Sequence, residues 1–243
     1  VVGGIVKMGN DLVSQTTAER FDPKTNTFAA VGPTAFPRHR HAAVRLADGR
    51  VLVVGGTDAH PVDVTEDWIP TAELFDPSTG KFSTVGDLND PRADTTATLL
   101  PDGKVLVAGG FRPTQPPFAW QTAELFDPAT GQFERTGSMA SPRTSSSAVA
   151  LPDGRVAIMG GYDDQLQPQR TVEIYDSNAG TFSPAGQMVE ARAEFQATLL
   201  PDGKILVTGG ANTHDAPGPG SNRGTILSSV EIYDPATGQS AII

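Results

Sequence analysis

Apolar residues in this chain cluster in short runs that end at a pair of glycines. The clearest run is Val51-Leu52-Val53-Val54, directly before Gly55-Gly56. Four uniformly apolar residues are typical of a β-strand buried on both faces, and the bare backbone of glycine permits close approach or positive φ. The glycine pairs stand at 3–4, 55–56, 109–110, 160–161 and 209–210, so the pattern returns about every 50 residues.

Two further markers keep a constant order around each glycine pair. An Asp-Gly pair precedes four of them, at 48–49, 102–103, 153–154 and 202–203, and a Phe-Asp or Tyr-Asp pair follows all five. Segments 98–110 and 198–210 are almost identical in sequence. The chain is therefore a tandem repeat, with units at 1–34 (partial), 35–88, 89–139, 140–188 and 189–243.

Each complete unit predicts four antiparallel strands, which we label a to d. In the second unit, strand a covers 41–46, strand b covers 51–54, strand c covers 72–75 and strand d covers 81–85. Asp-Gly is a strong hairpin signal between a and b, and a Pro- and Gly-containing turn joins c to d. The first unit begins at strand b, so we expect 19 blade strands and almost no helix.

These units resemble the kelch family, in particular the bacterial, galactose-oxidase-like kelch repeats. The residues that carry the resemblance are the glycine pairs, the Glu-x-Phe/Tyr-Asp segments, the Thr-Gly-x-Phe turns and an arginine before each strand a. Phenylalanine stands in strand d where the family usually has tryptophan, and Ser240 takes this position in the last unit. The resemblance implies an all-β, kelch-type β-propeller over residues 1–243. It has about five blades of four antiparallel strands, and the first blade lacks its innermost strand.

Composition narrows the range of functions. The net charge is −10 and no basic patch is visible, which argues against a nucleic-acid partner. No apolar run approaches the length of a membrane span. The chain has no cysteine, so the Cys-linked tyrosine cofactor of galactose oxidase cannot form. No nucleophile elbow, phosphate loop or zinc-binding helix is present, and no cofactor or bound metal is predicted.

The ends of the chain bear on location. It opens at Val1 inside a repeat and without an initiator Met, so we expect the true N-terminus to lie upstream. The compartment is not determined by the sequence, although a secreted, periplasmic or cell-surface location is favoured.

The order of strands separates two kinds of connection. The a–b and c–d turns lie at one end of each blade and are short and uniform. The b–c loops lie at the other end, together with the d–a connections, and are long and dissimilar. Divergent loops on a rigid scaffold are the usual place for recognition, and the family resemblance also implies ligand binding there. These loops cover 57–70, 111–121, 162–170 and 211–228.

An arginine stands in every d–a connection, and a glutamate in every strand c. A ring of arginines at the pore mouth could bind an anionic ligand. Alternatively, each arginine forms a structural ion pair with a repeated glutamate, which is the interpretation we favour because residues repeated in every blade usually serve the scaffold. The arginines are Arg38, Arg92, Arg143 and Arg192, and the glutamates are Glu19, Glu73, Glu124, Glu173 and Glu231.

The segment Arg38-His39-Arg40-His41 is the most basic in the chain. Histidines at positions i and i+2 of a strand point the same way, so His39 and His41 could share a metal, with Asp58 or His60 nearest as a third ligand. A polar channel wall is the alternative, and we favour it because no third ligand is evident.

Aromatic residues in the b–c loops either contact a ligand or pack the loops onto the blades. They are Trp68, Phe111, Phe118, Trp120 and Tyr162. We predict a non-catalytic module that binds a protein or glycan through the b–c and d–a face. The alternative is a sugar-acting kelch-type enzyme, mutarotase- or lyase-like, or a fragment of a larger kelch enzyme. The ligand-binding candidates are Arg38, His39, His41, Asp58, Trp68, Arg92, Phe111, Trp120, Arg143, Tyr162, Arg192 and Asn212.

Overall fold

A computed structural model describes residues 1–9, 11–59, 67–111, 118–213 and 225–243, and the regular secondary structure of these residues is all β-strand. Two hairpins lie outside the blades: β1 (Ile5–Met8) with β2 (Asp11–Ser14), and β7 (Thr57–Asp58) with β8 (Asp67–Trp68). None of the described residues forms a helix that is long and apolar enough to cross a membrane.

The blades follow the repeat units in chain order. Blade 1 contains β3 (Ala18–Asp22) and β4 (Thr27–Val31). Blade 2 contains β5 (Ala42–Arg45), β6 (Val51–Val54), β9 (Thr71–Asp76) and β10 (Lys81–Asp87). Blade 3 contains β11 (Thr96–Leu99), β12 (Val105–Ala108), β13 (Ala123–Asp127) and β14 (Gln132–Arg135). Blade 4 contains β15 (Ser147–Ala150), β16 (Val156–Met159), β17 (Thr171–Asp176) and β18 (Thr181–Gln187). Blade 5 contains β19 (Gln196–Leu199), β20 (Ile205–Thr208), β21 (Val230–Asp234) and β22 (Gln239–Ile242).

Blades 2 to 5 are each a four-stranded antiparallel sheet in the order a-b-c-d. Their first strands, β5, β11, β15 and β19, contact one another in sequence, so strand a is the innermost strand of every complete blade. This arrangement is the propeller that the repeat pattern predicted.

The core consists of three apolar layers, one between each pair of complete blades. Between blades 2 and 3, Leu52 and Leu74 pack against Val107 and Phe126. Equivalent layers join blade 3 to blade 4 and blade 4 to blade 5. Both faces of strand b are therefore covered, which explains its uniformly apolar sequence. Each large side chain buried in this way contributes about 1.5–3 kcal/mol.

Blade 1 differs from this plan in the described residues. Its strand b is reduced to one bridge between Val2 and Ala18, so the structure has 18 of the 19 expected blade strands. Phe21 and Phe28 pair with ring centroids 5.0 Å apart, like the aromatic pairs of blades 2 to 4, but are 45% and 57% exposed. No described strand a pairs with the Val2 segment. An apolar cavity of about 440 Å³ lies between blades 1 and 2, where the other blades have a filled layer.

Candidate functional site

The repeated arginines lie inside the blades. Arg92 has no exposed surface, and its Nη1 donates hydrogen bonds to the carbonyl oxygens of Gly109 (2.7 Å) and Thr122 (2.9 Å). Its Nη2 donates to Glu124 Oε1 at 3.0 Å, within the same blade. The equivalent pairs are Arg38–Glu73 at 2.8 Å, Arg143–Glu173 at 2.8 Å and Arg192–Glu231 at 2.5 Å.

The glutamate of each pair also fixes the d–a connection. Backbone N–H groups of Asn89 and Asp90 donate to the two carboxylate oxygens of Glu124, at 2.9 and 3.0 Å. Burial lowers the pKa of Arg92 from its usual value, although the charges of Glu124 and Asp90 act in the opposite direction. The complete burial of the four guanidinium groups favours the structural ion pair over a cationic ring open to a ligand.

The two histidines have separate environments. His39 Nδ1 hydrogen-bonds with Ser14 Oγ at 2.9 Å, while His41 lies against Gly3 and its Nδ1 has no hydrogen-bond partner. Asp58 is buried, and His60 lies outside the described residues. Among the residues that the structure describes, no group of three His, Asp or Glu side chains could hold a metal.

The position of His41 lies at the contact between adjacent blades. Its counterpart in blade 5, Phe195, is buried beside Gly160 and Met188 of blade 4. The expected channel wall is therefore an inter-blade position, because the glycine pair of the preceding blade leaves room for this side chain. Burial, together with the charges of Arg38 and His39, lowers the pKa of His41 to about 4.

His41 should make the fold sensitive to acid. The unfolded chain takes up a proton near pH 6.5 that folded His41 does not accept until about pH 4, so stability should fall as the pH drops through this window. The loss attributable to His41 is at most about 3 kcal/mol. Urea unfolding of wild type and His41→Phe at several pH values measures it. Equal pH slopes for the two proteins would refute the assignment.

An arc of four residues, one per complete blade, surrounds the inner end of the b–c and d–a face. The arc consists of Arg40, Asp94, Ser145 and Glu194, each two positions after the repeated arginine of its blade. Their φ angles are 58°, 47°, 53° and 55°, in the left-handed region that residues other than glycine rarely adopt.

A relay of backbone hydrogen bonds holds the arc together. The amide of Asp94 donates to the carbonyl of Arg40 at 2.8 Å, that of Ser145 to Asp94 at 3.0 Å, and that of Glu194 to Ser145 at 3.0 Å. All four residues retain exposed surface. The scaffold therefore fixes the backbone of the arc while its side chains differ in charge and size. Sequence reasoning missed this site, because the four positions share no residue type.

Aromatic rings adjoin the arc at Arg40. The guanidinium of Arg40 binds Asp94 Oδ2 through Nε at 2.8 Å and lies 5.2 Å from the ring centroid of Phe111. Trp68 and Phe118 stack on Phe111 nearly in parallel, with ring centroids 5.8 and 6.0 Å from it. These three rings are half-buried and join the b–c loops of blades 2 and 3.

The remaining loop candidates pack onto the scaffold. Trp120 Nε1 donates to the carbonyl of Pro91 at 3.0 Å, and its ring lies 5.8 Å from the Arg92 guanidinium carbon. Tyr162 is 3% exposed, and its hydroxyl donates to the carbonyl of Thr213 at 3.3 Å. Asn212 is half-buried beside this contact. The structure thus separates Trp68, Phe111 and Phe118 from the two aromatics that plug the loops.

Four-stranded antiparallel sheets around a shared inner edge, each anchored by a buried Arg–Glu pair, define the class of protein as a β-propeller. The family model for the Kelch motif matches residues 37–89 and 143–189, which fall on blades 2 and 4. The chain therefore contains kelch repeats.

Similar proteins span several kinds of organism. Kelch-like protein 25 of Xenopus tropicalis is 29% identical over 150 residues, which cover 62% of this chain and 23% of that protein. Spermatocyte protein spe-26 of Caenorhabditis elegans is 29% identical over 116 residues, covering 48% and 20%. The N-acetylneuraminate epimerase of Brucella suis is 26% identical over 135 residues, covering 51% and 31%.

A solved structure, titled "Structure of YjhT", shares the fold. It superimposes with a TM-score of 0.74 over 100% of this chain and 80% of that chain, at 14% identity. The matched region covers less than a third of the length of the curated relatives named above.

Proposed function

We propose that this chain binds a partner protein through a recognition face, made of the arc (Arg40, Asp94, Ser145 and Glu194) and the stacked rings of Trp68, Phe111 and Phe118. The observation that carries the proposal is the arc: four identical backbone positions display four different, accessible side chains. A fixed backbone with free choice of side chain suits specific recognition, because little ordering entropy is lost on binding. The match to the Kelch motif supports a protein-binding role.

At the opposite end of the propeller, the a–b turns repeat the same residue types in each complete blade. In these turns, Arg50 Nε binds Asp48 Oδ2 at 2.8 Å, and Arg155 Nε binds Asp153 Oδ2 at the same distance. Turns that repeat the sequence Asp-Gly-Arg or Asp-Gly-Lys give a partner few means of discrimination. The recognition face is therefore the better candidate for a specific contact.

Two sets of alanine variants test this proposal. A partner is first captured and purified. We expect Trp68→Ala, Phe118→Ala and Glu194→Ala, combined in one variant, to lower the affinity for this partner at least about tenfold, the scale of one interface hot spot. Lys104→Ala, Arg155→Ala and Lys204→Ala, on the opposite end, serve as the control and should leave affinity unchanged. Calorimetry gives the affinities, and thermal unfolding confirms that both sets fold. Loss of affinity in the control set alone would place the partner on the other end.

Similarity to an N-acetylneuraminate epimerase favours a sugar-acting enzyme as the second candidate. Asp94 and Glu194 would then supply the carboxylates of an accessible site at the pore mouth. Proton NMR of N-acetylneuraminate separates the two functions. The enzyme accelerates interconversion of the sugar's epimers and loses that activity in Glu194→Gln, whereas a binding module leaves the interconversion rate unchanged.

A further inference from the structure

The Arg40–Asp94 pair shows how one carboxylate of the arc binds a cationic side chain. Arg40 belongs to blade 2 and Asp94 to blade 3, so the cation comes from the arc residue of the preceding blade. Nε donates to Asp94 Oδ2 at 2.8 Å, and Nη2 lies 2.5 Å from the same oxygen. Phe111, directly after the glycine pair of blade 3, flanks the guanidinium.

Blade 5 repeats half of this arrangement. Glu194 has the arc position and the left-handed backbone of Asp94, with φ of 55° against 47°. Its amide donates to the carbonyl of Ser145 as that of Asp94 donates to Arg40, so the two carboxylates leave equivalent backbone positions. Among the described residues, none pairs with the Glu194 carboxylate, and the side chain is exposed.

The cation and the ring of this arrangement are not repeated in blades 4 and 5, because two small residues stand at their positions. Ser145 stands in blade 4 where Arg40 stands in blade 2, and a serine cannot reach the carboxylate of the next blade. Ala211 stands after the glycine pair where blade 3 has Phe111, and both residues bridge their blade in the same way, to Ala193 and Ala93. The guanidinium and the ring that flank Asp94 thus have no counterpart at the equivalent positions beside Glu194.

From this juxtaposition we propose that Glu194, with Ser145 and Ala211 beside it, is a subsite for an arginine side chain of the partner protein. The inference rests on the proposed function and names the chemistry of one contact. A guanidinium matches the group that the chain itself places at the equivalent position, and its planar donors suit a carboxylate. The net charge of −10 further attracts a basic partner.

A short peptide serves as the probe, because the partner is unidentified. Acetyl-Gly-Arg-Gly-amide is titrated into the isotope-labelled chain at low ionic strength, and the backbone amide shifts of Glu194 and Ser145 are followed by NMR. The same peptide with citrulline in place of arginine keeps the shape and removes the charge. We expect the arginine peptide to shift both amides and the citrulline peptide to shift neither.

Two variants block the subsite by opposite means. Glu194→Gln removes the carboxylate and should raise the apparent Kd of the arginine peptide about fivefold, the upper end for an exposed ion pair. Ser145→Arg should have a similar effect, because the new arginine forms an ion pair with Glu194 as Arg40 does with Asp94. Arginine at φ near 55° is compatible with the fold, as Arg40 shows. Glu134→Gln, at an exposed glutamate of β14, is the control and should bind like wild type.

The proposal is wrong if citrulline binds as well as arginine, or if either blocking variant binds the arginine peptide like wild type. Failure of this subsite is distinguishable from failure of the proposed function. If only the subsite fails, the alanine variants of Trp68 and Phe118 still lower the affinity for the partner, but the arginine peptide does not bind. If the proposed function fails, the arginine peptide binds at Glu194, but no variant of the recognition face changes the affinity for a partner.

Discussion

Glu124→Ala should destabilise the propeller by about 3–5 kcal/mol, because it removes the carboxylate hydrogen-bonded to the buried guanidinium of Arg92 and leaves only Asp90, 3.5 Å away, as counter-charge. The loss extends beyond the ion pair. Glu124 also accepts the amides of Asn89 and Asp90 and the side-chain amide of Asn89, so three further donors lose their partner. These donors lie in the d–a connection, which means that the substitution also loosens the segment before the arc of blade 3.

Guanidinium chloride unfolding, followed by circular dichroism, measures this loss. Glu134→Ala is the matched control, since Glu134 lies on the neighbouring strand β14 of the same blade with an exposed side chain. We expect the control to change stability by less than about 0.5 kcal/mol, as surface substitutions usually do. A similarly small change in Glu124→Ala would show that the buried pair is not what holds the blade together.

Gly109→Ala should destabilise the protein by about 3 kcal/mol or more. A Cβ at Gly109 would lie 2.4 Å from the backbone carbonyl oxygen of Arg143 in the next blade, where no side-chain movement can relieve the clash. The glycine also has φ of 66°, a conformation that costs an alanine about 1 kcal/mol by itself. Blade 3 would have to move away from blade 4, which would open the apolar layer between them.

Gly80→Ala isolates the conformational part of this cost. Gly80 has φ of 69°, and an added Cβ would meet no atom within 4 Å. We expect this control to lose only about 1 kcal/mol in the same unfolding experiment. If both substitutions cost the same, the glycine pair serves the backbone angle alone and not the contact between blades.

The sequence predicted the repeat, the strand order and the buried ion pairs, because these depend on features that recur in every unit. Strand b is one such feature: four apolar residues are typical of a strand covered on both sides, and β12 is fully buried. Glu73, Glu124 and Glu173 pair with arginines of their own blades, as expected from their presence in each unit. Strand b of the first unit was the exception, because pairing depends on a neighbouring strand as well as on local sequence.

Site residues were harder to predict, because a loop side chain is either a plug or a contact depending on its neighbours. Trp68 and Trp120 look alike as tryptophans in long b–c loops. Only the tertiary structure shows Trp120 fixed to the carbonyl of Pro91 and Trp68 stacked beside the exposed Arg40 and Phe111. The surroundings of His41 were equally hard to predict from the sequence, since its place between blades follows from the glycine pair of the preceding blade.

The sequence by itself determined that this chain is a propeller of kelch repeats, since hydrophobic runs, glycine pairs and turn residues act locally and repeat in phase. The arc was decided by the tertiary structure alone. Arg40, Asp94, Ser145 and Glu194 share no residue type, and they come together because amides and carbonyls of successive blades bond to one another. Backbone hydrogen bonds of this kind are independent of the side chain, and for that reason the residue types along the chain do not reveal them.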